Sequence, residues 1–433
     1  MKNKILEKSK ISGREILQKK IIDMPEKPGV YRMLGDKKNV LYVGKAKNLK
    51  KRLLSYTRPA GNNNRITKMI SLIKDVEITI TETEMDALLL ELNLIKEKKP
   101  RYNIMLRDDK TFPYIFISSE HDFPRLEKHR GSRTRPGHYY GPFANPGAVN
   151  STLNTLQKVF LLRSCSDREV EAGNRPCLNY HLKRCSGPCG SKISKEDYKE
   201  IVNDVRKFFS GKSTAIQKKL SNKMQNASKN KEYEIAAQYR DRISALANMS
   251  KSDTINPQFL EEADVFAVSK INSKSCVQVF FFRSWRNLGN KAYFPIHTND
   301  VSEKDILQSF IPQFYQNKPI PKLILISHDF DEKKLLSVTF SKKERKKIKI
   351  FKPLKGERQK IINHALENSK NALQRYQNNL LSNKKNLLLL KKAFQLDKAP
   401  KRIEIYDNSH IQGSYAVGAM VVATEEGLDK GEY

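Results

Sequence analysis

Short apolar segments alternate with polar turns near the start of the chain. Residues 29–33 and 40–43 are rich in aromatic and β-branched side chains and flank the polar stretch 35–39, a pattern typical of two strands joined by a turn. The same kind of pattern predicts a third strand over residues 76–80. These segments are the predicted strands of a compact α/β pattern that covers residues 28–105.

Two helices are predicted between and after these strands. In the basic segment 49–56, apolar residues are spaced by four and three, as on one face of a helix. A second helix of about sixteen residues follows the third strand. Thr81 and Glu84 have capping-box spacing at its start, and Pro100 is expected to end it.

The chain as a whole predicts a multidomain fold of α/β and α class, because 433 residues are too many for one ordinary core. Further strands are predicted near 265–271, 276–282, 322–327, 402–407 and 416–423, with helices near 303–316 and 357–394. The predicted units are a basic leader (1–20), an α/β domain (21–105), a connecting region with a Cys-rich loop (106–192), a helical region (193–250), an α/β region (251–356), a long helical segment (357–400) and the start of a last domain (401–433).

The charge balance is strongly basic. Lys and Arg number 81 against 47 Asp and Glu, which gives a formal net charge of +34. Such an excess predicts a polyanionic partner, and nucleic acid is the first choice. An acidic membrane surface is the second, but no stretch approaches about 18 consecutive apolar residues, and residues 1–20 lack the apolar core of a secretory signal. A genome-wide bias toward Lys is an alternative explanation for part of the charge.

One ordered set of side chains in the first domain has the chemistry of phosphodiester cleavage. Its members are Tyr31, Tyr42, Lys45, Arg52, Glu91 and Asn103. Cleavage needs an activated water and stabilisation of the charge that develops on the phosphate oxygens. Tyr42 fits the base if Lys45 lowers its pKa, and Arg52 can brace the phosphate through two N–H groups. Tyr31 would orient water or phosphate. The alternative is that both tyrosines only pack.

Glu91 is the most informative single residue of this set. It follows Leu88 by three positions and precedes Ile95 by four, so it lies within the apolar stripe of its helix. An unpaired carboxylate in such surroundings is costly, and a divalent cation would offset the cost. Because Mg²⁺ typically takes one or two carboxylates and keeps several waters, a single Glu suffices. A pair between Glu91 and a Lys is the alternative.

The same residues resemble a GIY-YIG nuclease domain in which Val replaces Ile in both half-motifs, Gly29-Val30-Tyr31 and Tyr42-Val43-Gly44. The segments PEKPGVYRM, LYVGKAKNLKKRL, LLLELNLIK and PRYNI are similar to the UvrC family, the nuclease component of bacterial UvrABC excinucleases. The resemblance implies a metal-dependent DNA endonuclease that uses Mg²⁺ or Mn²⁺, with the six residues above as its catalytic set and Glu91 as the metal ligand.

Four cysteines lie within one loop: Cys165, Cys177, Cys185 and Cys189. In a cytosolic protein such a cluster more often binds metal than forms disulfides. Spacing alone leaves zinc and iron–sulfur open, although the absence of paired C-x2-C slightly disfavours zinc. The segment CLNYHLKRCSGPC resembles the cysteine motif of the family, which implies a 4Fe–4S cluster. Four unligated thiols are the remaining alternative, and Cys276 is expected to be an ordinary core residue.

The cysteine loop is expected to brace the protein near DNA rather than to perform redox turnover. Five basic residues close to it would supply phosphate contacts: Arg163, Arg168, Arg175, Lys183 and Arg184.

A two-helix hairpin is predicted over residues 215–249, with a break at Lys229-Asn230. A hairpin this small cannot bury its own apolar face, so it should pack on something else. The segment KEYEIAAQYRDRISAL resembles the UVR motif, which implies docking on UvrB within the repair complex, with Tyr233 where the family often has Phe. The expected contact residues are Tyr233, Ala236, Ala237, Arg240, Ile243 and Leu246. An ordinary helix packed inside this chain is the alternative.

Asp407 ends the apolar face of a predicted strand that also carries Ile403 and Ile405. The segment RIEIYDNSHIQG resembles the start of an RNase H-like nuclease domain, which implies that Asp407 is one ligand of a second, Asp-Asp-His metal site. Alternatively, residues 407–409 are a turn, because all three are turn formers. The later Asp and His and a tandem helix-hairpin-helix module are expected to be missing, so the chain is expected to be C-terminally incomplete.

The resemblance therefore implies a cytoplasmic nucleotide-excision-repair endonuclease of the SOS response. The GIY-YIG domain would make the 3′ incision, and a complete RNase H-like domain would make the 5′ incision. Damaged double-stranded DNA held by UvrB is the implied partner, UvrA takes part indirectly, and no membrane is involved. A stand-alone 3′-incising nuclease and a non-catalytic DNA-binding scaffold remain the alternatives.

Overall fold

A computed structural model of the protein describes residues 12–58, 64–106, 112–144, 146–173, 175–251, 260–411, 414–429 and 432. The basic leader therefore lies largely outside the described residues. The helices are α1 (Gly13–Ile21), α2 (Leu49–Thr57), α3 (Asn64–Ser71), α4 (Glu84–Lys98), α5 (Pro146–Phe160), α6 (Asp167–Glu171), α7 (Leu178–His181), α8 (Lys195–Phe209), α9 (Ser213–Lys229), α10 (Tyr233–Lys251), α11 (Glu303–Phe314), α12 (Lys333–Glu344) and α13 (Glu357–Ala393). The strands are β1 (Gly29–Leu34), β2 (Val40–Ala46), β3 (Asp75–Ile80), β4 (Tyr114–Ser118), β5 (Leu126–His129), β6 (Gly137–Tyr140), β7 (Glu262–Ile271), β8 (Lys274–Arg283), β9 (Arg286–Tyr293), β10 (Leu323–Ile326), β11 (Lys349–Phe351), β12 (Arg402–Ile411), β13 (Ser414–Thr424) and β14 (Gly427–Leu428).

The first domain is built on a three-stranded antiparallel sheet in the order β2-β1-β3. The three predicted strands and the helix over 49–56 are confirmed. Gly29 begins the central strand at a point of close approach. A Cβ atom there would lie 2.4 Å from the carbonyl oxygen of Thr79 and 2.8 Å from Leu49 Cδ1, so only glycine lets β3 and α2 pack this closely.

The N-cap of α4, the helix that carries Glu91, lies two residues later than predicted. Thr83, not Thr81, is the N-cap, because its hydroxyl accepts a hydrogen bond from the N–H of Asp86 at 3.2 Å. The hydroxyl of Thr81 instead donates to the carbonyl of Thr83 at 2.9 Å. At the other end, Lys99 adopts a left-handed conformation with φ of 46° immediately before Pro100. The predicted end of the helix is therefore confirmed.

The middle of the chain combines a small sheet with helices. Strands β4, β5 and β6 form an antiparallel sheet in the order β5-β4-β6. Its apolar side and helices α5, α8, α9 and α10 share one core, which contains Ile115, Leu156 and Val205. The predicted helical hairpin is confirmed, since α9 ends at Lys229 and α10 begins at Tyr233. Helix α5 was not predicted.

A five-stranded sheet in the order β11-β10-β7-β8-β9 forms the next unit. Strands β7, β8 and β9 are antiparallel, whereas β10 and β11 run parallel to β7. Helices α11 and α12 cover one face, and the first half of α13 covers the other through Ile361 and Ala365. The predicted strands and the helices near 303–316 and 357–394 are confirmed. Strand β9 and helix α12 were missed.

Two features position the first domain against this sheet. Leu88 and Leu92 of α4 share a core with aromatic residues such as Phe314. Met105 and Ile296 exchange backbone hydrogen bonds of 3.4 and 3.1 Å.

The last strands form a separate sheet in the order β12-β13-β14. In the described part of the chain, no helix combines the length and apolar composition needed to cross a bilayer.

Candidate nuclease site

One cavity of about 590 Å³ gathers the whole predicted catalytic set. Its lining includes Tyr31, Tyr42, Lys45, Arg52, Glu91 and Asn103. These residues come from β1, β2, α2, α4 and the segment after α4. The fold thus brings together side chains that are up to about seventy positions apart in sequence, as expected for a site on the edge of a packed sheet. Their chemical roles are considered below as proposals.

A cluster of phenols and one guanidinium forms the floor of the cavity. The hydroxyl groups of Tyr31 and Tyr56 are 2.8 Å apart, and Arg52 Nε donates to the Tyr31 hydroxyl at 3.4 Å. The Arg52 guanidinium also lies over the Tyr56 ring, 5.4 Å from its centroid. The sequence analysis assigned no role in the site to Tyr56, which it counted only among the apolar positions of the segment 49–56. The position of Tyr56 one helical turn after Arg52 was the available clue.

Gly44 lets this cluster form against the backbone of β2. A Cβ atom at this position would lie 2.4 Å from the Tyr31 hydroxyl oxygen, so any side chain would displace the phenol. Steric exclusion therefore explains why the Tyr42-Val43-Gly44 half-motif has glycine at its third position. Tyr31 itself is completely buried.

The pKa values of Tyr31 and Tyr42 are raised, whereas a lowered pKa was predicted for Tyr42. The pKa of Tyr42 is raised by the neighbouring Tyr56 phenol, by burial and by Glu91, and Arg52 is the cation that opposes these effects. Burial and Tyr56 likewise raise the pKa of Tyr31. The expectation that Lys45 lowers the pKa of Tyr42 is wrong in this structure, because the Lys45 ammonium turns to another partner.

That partner is Glu332, which lies just before α12 and outside the first domain. Lys45 Nζ is 2.5 Å from Glu332 Oε1, and the Lys45 side chain is only 8% exposed. Asp300 and Asp305 line the same wall of the cavity. No chemistry was predicted for residues 251–356, and no local pattern distinguishes these carboxylates from other surface acids.

Glu91 projects from α4 into the cavity among apolar neighbours. The backbone N–H of Lys45 donates to Glu91 Oε1 at 3.0 Å. Burial raises the pKa of Glu91 to about 7, and the nearby cations Lys45 and Arg52 only partly offset this effect. Among the described residues no Lys forms an ion pair with Glu91, since the Lys45 ammonium pairs with Glu332. The carboxylate is therefore short of compensating positive charge.

Asn103 is buried and both ends of its amide bind the backbone of β2. Its Nδ2 donates to the carbonyl of Val43 at 2.7 Å, and its Oδ1 accepts from the N–H of the same residue at 2.8 Å. This pairing imitates a neighbouring strand and fixes the peptides beside Tyr42 and Gly44. A second guanidinium, Arg65, lines the cavity and donates to the carbonyl of Tyr102 at 2.6 Å.

Comparison with known proteins assigns successive parts of the chain to one family. The matching family models are the UvrC-like GIY-YIG domain (residues 27–104), the UvrC/Cho excinuclease middle domain (112–208), the UvrB/uvrC motif (214–248), the UvrC Ribonuclease H-like domain (262–376) and the UvrC RNAse H endonuclease domain (391–433). The UvrABC system protein C of Brucella abortus is 47% identical over 423 residues, which cover 98% of this chain and 68% of that protein. The chain belongs to the UvrABC system protein C family.

Other family members give the same picture. The protein of this name from Bartonella henselae is 49% identical over 427 residues, and that from Bartonella quintana is 48% identical over 427 residues. Each alignment covers 99% of this chain but 65% and 63% of the relative, so the chain spans a little under two thirds of these curated relatives. The GIY-YIG N-terminal endonuclease domain of UvrC from Thermotoga maritima, solved with magnesium, is 37% identical over 20% of this chain and 94% of that chain, with a TM-score of 0.19.

The match at 262–376 covers residues for which the sequence predicted only an α/β region. The UvrC Ribonuclease H-like domain model spans the five-stranded sheet, and the separate match at 391–433 covers the segment where an RNase H-like domain was expected to start. In this domain Asp264 is buried, and its carboxylate accepts from Arg283 Nη1 at 2.7 Å and from the Tyr315 hydroxyl at 2.6 Å. Both oxygens of Asp264 are thus occupied by structural partners.

The cysteine segment of this family member contains four free thiols. Burial raises the pKa of Cys185 to about 11, and the charges of Cys165, Cys177 and Cys189 add to the effect. Among the described residues, however, no three Cys, His, Asp or Glu side chains are arranged to hold a metal ion. Cys276 is completely buried in a small core, as predicted.

Arg163 was wrongly predicted as a phosphate contact. Its side chain is completely buried, and its guanidinium donates to the carbonyls of Phe123 and Cys165 and to the carboxylate of Asp167. The burial of a long cation is stable here because each of these donors has an acceptor. Arg163 therefore holds the start of the cysteine loop and does not face solvent.

The UVR hairpin presents only part of its predicted docking set to solvent. Tyr233 is 66% exposed and Arg240 is exposed, whereas Ala236, Ala237 and Ile243 are half-buried. Leu246 is completely buried in the core of the middle region. This burial removes Leu246 from the surface that a partner can reach and corrects the predicted set. Ile235, which was not predicted, is 43% exposed beside Tyr233.

Asp407 lies within strand β12, opposite Ala419 of β13, and its side chain is exposed. The alternative that residues 407–409 form a turn is therefore wrong. Ile405 on the same strand is 54% exposed, so the apolar face predicted for this strand is open to solvent in the described part of the chain. Asp407 lies on a different sheet from the Glu91 cavity and belongs to a different unit.

Proposed function

We propose that the protein is the incising endonuclease of bacterial nucleotide excision repair, and that the Glu91 cavity cuts the damaged strand on its 3′ side. The observation that carries this proposal is the convergence of two cavity-lining phenols, a guanidinium and a poorly compensated carboxylate in one cavity of about 590 Å³. Membership of the UvrABC system protein C family supports the same reaction class.

The site fits a divalent cation. Burial without enough positive charge raises the pKa of Glu91 to about 7, and a hard cation is the usual remedy for such a carboxylate. When bound, Mg²⁺ or Mn²⁺ would supply Lewis-acid stabilisation of the scissile phosphate oxygens. Glu91 would hold the ion, and the Lys45 N–H bond to Oε1 would fix the orientation of that carboxylate.

The remaining side chains have separable tasks. Arg52 contacts the phosphate, since its guanidinium lines the cavity and is already oriented by the Tyr31 hydroxyl and the Tyr56 ring. Tyr42 is the candidate acceptor for the proton of the attacking water. Because its pKa is raised by Tyr56, by burial and by Glu91, this role requires that Arg52 together with a bound divalent cation would favour the ionised phenol. Tyr31 and Tyr56 hold Arg52 in place. Asn103 acts by positioning β2 rather than by touching the substrate.

A nicking assay tests the assignment. Lesion-bearing duplex would be incubated with UvrA, UvrB, Mg²⁺ and either wild-type protein or Glu91→Ala. We expect the 3′ nick to fall by at least about 100-fold, as for loss of a group that stabilises the transition state. Glu97→Ala is the matched control, because Glu97 is exposed on the same helix. Equal nicking by Glu91→Ala and wild type would instead favour the non-catalytic scaffold.

Association with UvrB uses the exposed part of the UVR hairpin, namely Tyr233, Ile235 and Arg240. The match to the UvrB/uvrC motif over 214–248 and the 66% exposure of Tyr233 support this surface. Tyr233→Ala should weaken binding to UvrB in calorimetry by about 10-fold or more, as for an aromatic residue central to an interface. Gln238→Ala, exposed on the same helix, should bind as wild type. Full binding by Tyr233→Ala would favour the stand-alone nuclease.

The 5′ incision belongs to the RNase H-like endonuclease domain that residues 391–433 match, with Asp407 as one metal ligand. The exposed carboxylate on β12 supports this role, since partner ligands can approach it. In a form of the protein with the rest of this domain, Asp407→Asn should abolish the 5′ nick and leave the 3′ nick unchanged. Loss of both nicks would contradict two independent sites.

The four loop cysteines bind a 4Fe–4S cluster in the cell, with zinc as the competing metal. Support comes from the electrostatic coupling of Cys185 to the other three thiols and from the family's cysteine motif. Anaerobic purification followed by iron, sulfide and zinc analysis tests this: about four irons per chain with absorption near 400 nm is expected. Zinc at one per chain without sulfide would identify the competing metal.

The protein is also proposed to be cytoplasmic and to be expressed in response to DNA damage. A reporter fusion would measure both its location and its induction.

A further inference from the structure

A basic loop in the middle region connects β5 to β6, the two strands that flank β4. Residues 130–136 are exposed, and four cationic residues occur within eight positions: Lys128, Arg130, Arg133 and Arg135. Three of the four are Arg, although Lys outnumbers Arg in the whole chain. A general Lys bias therefore does not explain this cluster, whereas Arg is the preferred residue for phosphate recognition.

Side-chain hydrogen bonds and ion pairs hold the loop between β5 and β6 in a fixed conformation. The His129 ring bonds the carbonyl of Ser132 at 2.8 Å, and the Tyr139 hydroxyl donates to the carbonyl of Arg135 at 2.9 Å. Glu127 neutralises Arg125 and Arg135, with distances of 2.8 and 3.0 Å. Within the described ranges, no carboxylate pairs with Lys128, Arg130 or Arg133. These three cations are thus unneutralised on an ordered loop.

Aromatic rings orient two of the guanidinium groups. Arg133 lies over the Tyr114 ring at 5.7 Å, and Arg135 lies over the Phe116 ring at 4.5 Å. The two rings are two positions apart on β4 and so share one face of the sheet. A guanidinium that rests on a ring keeps its N–H groups at the edge, pointing away from the ring. The arrangement preorganises Arg133 for an anionic ligand.

A cleft of about 270 Å³ separates this loop from the segment after α11. One wall consists of Gly131, Ser132 and Arg133, and the other includes Gln316, Lys318 and Lys343. Lys318 is fixed over Phe314 at 4.6 Å, and Lys343 Nζ donates to the carbonyls of Tyr315 and Gln316 at 3.0 and 3.1 Å. Cations therefore face the cleft from both sides, with Glu344 as the carboxylate in its lining.

The cleft also adjoins the helix of the nuclease site. Gln316 Nε2 donates at 2.9 Å to Oδ1 of Asn93, which lies two positions after Glu91 on α4. One helix thus carries Glu91 toward the nuclease cavity and Asn93 toward the cleft. A polyanion seated in the cleft is close to the incision site without entering it.

We propose that this cleft binds the sugar–phosphate backbone of DNA through Arg133, Lys318 and Lys343, the cations that line it. The inference rests on the proposed function in so far as the substrate is DNA, but it concerns binding and not the chemical step. An acidic protein segment is the other ligand that such a cleft attracts. DNA is favoured because separated, rigidly held cations on the two walls match a repeating phosphate, and because the cleft adjoins the site of strand cleavage.

Fluorescence anisotropy with a labelled undamaged duplex tests the proposal on the whole chain. The double variant Arg133→Gln, Lys318→Gln should bind about 5-fold more weakly at moderate salt, and the slope of log K against log salt should fall by about 2, one for each lost phosphate contact. The matched control is Lys218→Gln, Lys223→Gln, which removes the same charge from exposed positions on α9. This control should keep the wild-type slope. Equal losses in both double variants would mean that net charge alone sets affinity and would overturn the proposal.

Two further measurements separate the alternatives. Arg133→Lys keeps the charge but loses the planar group over Tyr114, so an intermediate affinity is expected; wild-type affinity would contradict the role of the stacked guanidinium. Polyglutamate should compete far less well than unlabelled duplex of equal charge, and equal competition would identify an acidic-protein site instead. Nicking separates this inference from the proposed function. Glu91→Ala should bind DNA normally without cutting, whereas the cleft variant should need a higher DNA concentration for half-maximal nicking, in proportion to its lost affinity. Wild-type nicking by Glu91→Ala would contradict the proposed function alone, and a wild-type concentration dependence for the cleft variant would contradict this inference alone.

Discussion

Lys45 Nζ and Glu332 Oε1 lie 2.5 Å apart although 287 positions separate the two residues in sequence. The contact joins the GIY-YIG domain to the Ribonuclease H-like domain and places a carboxylate on the wall of the nuclease cavity. It also directs the Lys45 ammonium away from Tyr42. A phosphate entering the cavity would therefore meet negative charge contributed by a second domain.

Removing the negative charge of Glu332 should make the cavity more favourable for the phosphate of the substrate. We expect Glu332→Gln to raise kcat/KM for the 3′ nick by about 2- to 10-fold, since one like charge at a partly screened distance is worth on the order of 1 kcal/mol. The measurement is nicking at DNA concentrations well below saturation. Asp331→Asn is the matched control, because Asp331 is exposed and adjacent. A lower rate for Glu332→Gln would show that the pair supports the active arrangement.

The stability of the metal-free protein should depend on pH through Glu91. The folded state raises the pKa of Glu91 from its usual 4.5 to about 7, so between these values folded Glu91 binds its proton more tightly than unfolded Glu91. The resulting stabilisation is complete below the unfolded value and is lost as pH rises through about 7. The upper limit of this effect is about 3 kcal/mol.

Glu91→Gln provides the comparison for this pH dependence. In the presence of a chelator, the variant should gain free energy of unfolding relative to wild type as the pH rises from about 5 to about 7.5, by urea denaturation. Adding Mg²⁺ should stabilise wild type and not the variant. Parallel pH profiles for the two proteins would contradict the buried, uncompensated state of this carboxylate.

Asn103 should contribute directly to the stability of the first domain and only indirectly to strand cleavage. Asn103→Ala removes two hydrogen bonds to the buried backbone of Val43, which we expect to lower the free energy of unfolding by about 2–3 kcal/mol. Nicking should fall as well, because the peptides beside Tyr42 lose their support. Asn93→Ala, at an exposed position on α4, is the control and should change stability by less than about 0.5 kcal/mol. An inactive Asn103→Ala protein of wild-type stability would point to direct contact with the substrate.

Arg163 should be one of the most sensitive positions of the middle region. Arg163→Met leaves the carbonyls of Phe123 and Cys165 and the carboxylate of Asp167 without their shared donor. We expect a loss of about 3–5 kcal/mol in chemical denaturation, the range for removing one partner of a buried charged network. Arg168→Met, at an exposed position nearby, should be nearly neutral. Comparable effects of the two substitutions would contradict the burial of Arg163.

Local pattern was sufficient for most secondary structure. The strands over 29–33, 40–43 and 76–80 and the break at Lys229-Asn230 were confirmed, since period-two alternation and turn residues act over a few positions. The cap of α4 was placed at Thr81 instead of Thr83 because both hydroxyls stand near the start of the helix. Which one accepts the N–H of Asp86 depends on the path of the chain out of β3.

By itself, the sequence determined the types and order of the candidate site residues, from Tyr31 to Asn103, because each stands at a fixed point on a strand, a helix or the segment after α4 in the small domain. Tertiary structure alone decided which charges surround them. Glu332 faces Lys45, Arg163 is buried, Leu246 joins a core and Arg133 lines a cleft opposite Lys343. The reason is physical: hydrogen-bonded local structure follows from near neighbours, whereas burial and electrostatic pairing depend on distances between segments that only packing brings together.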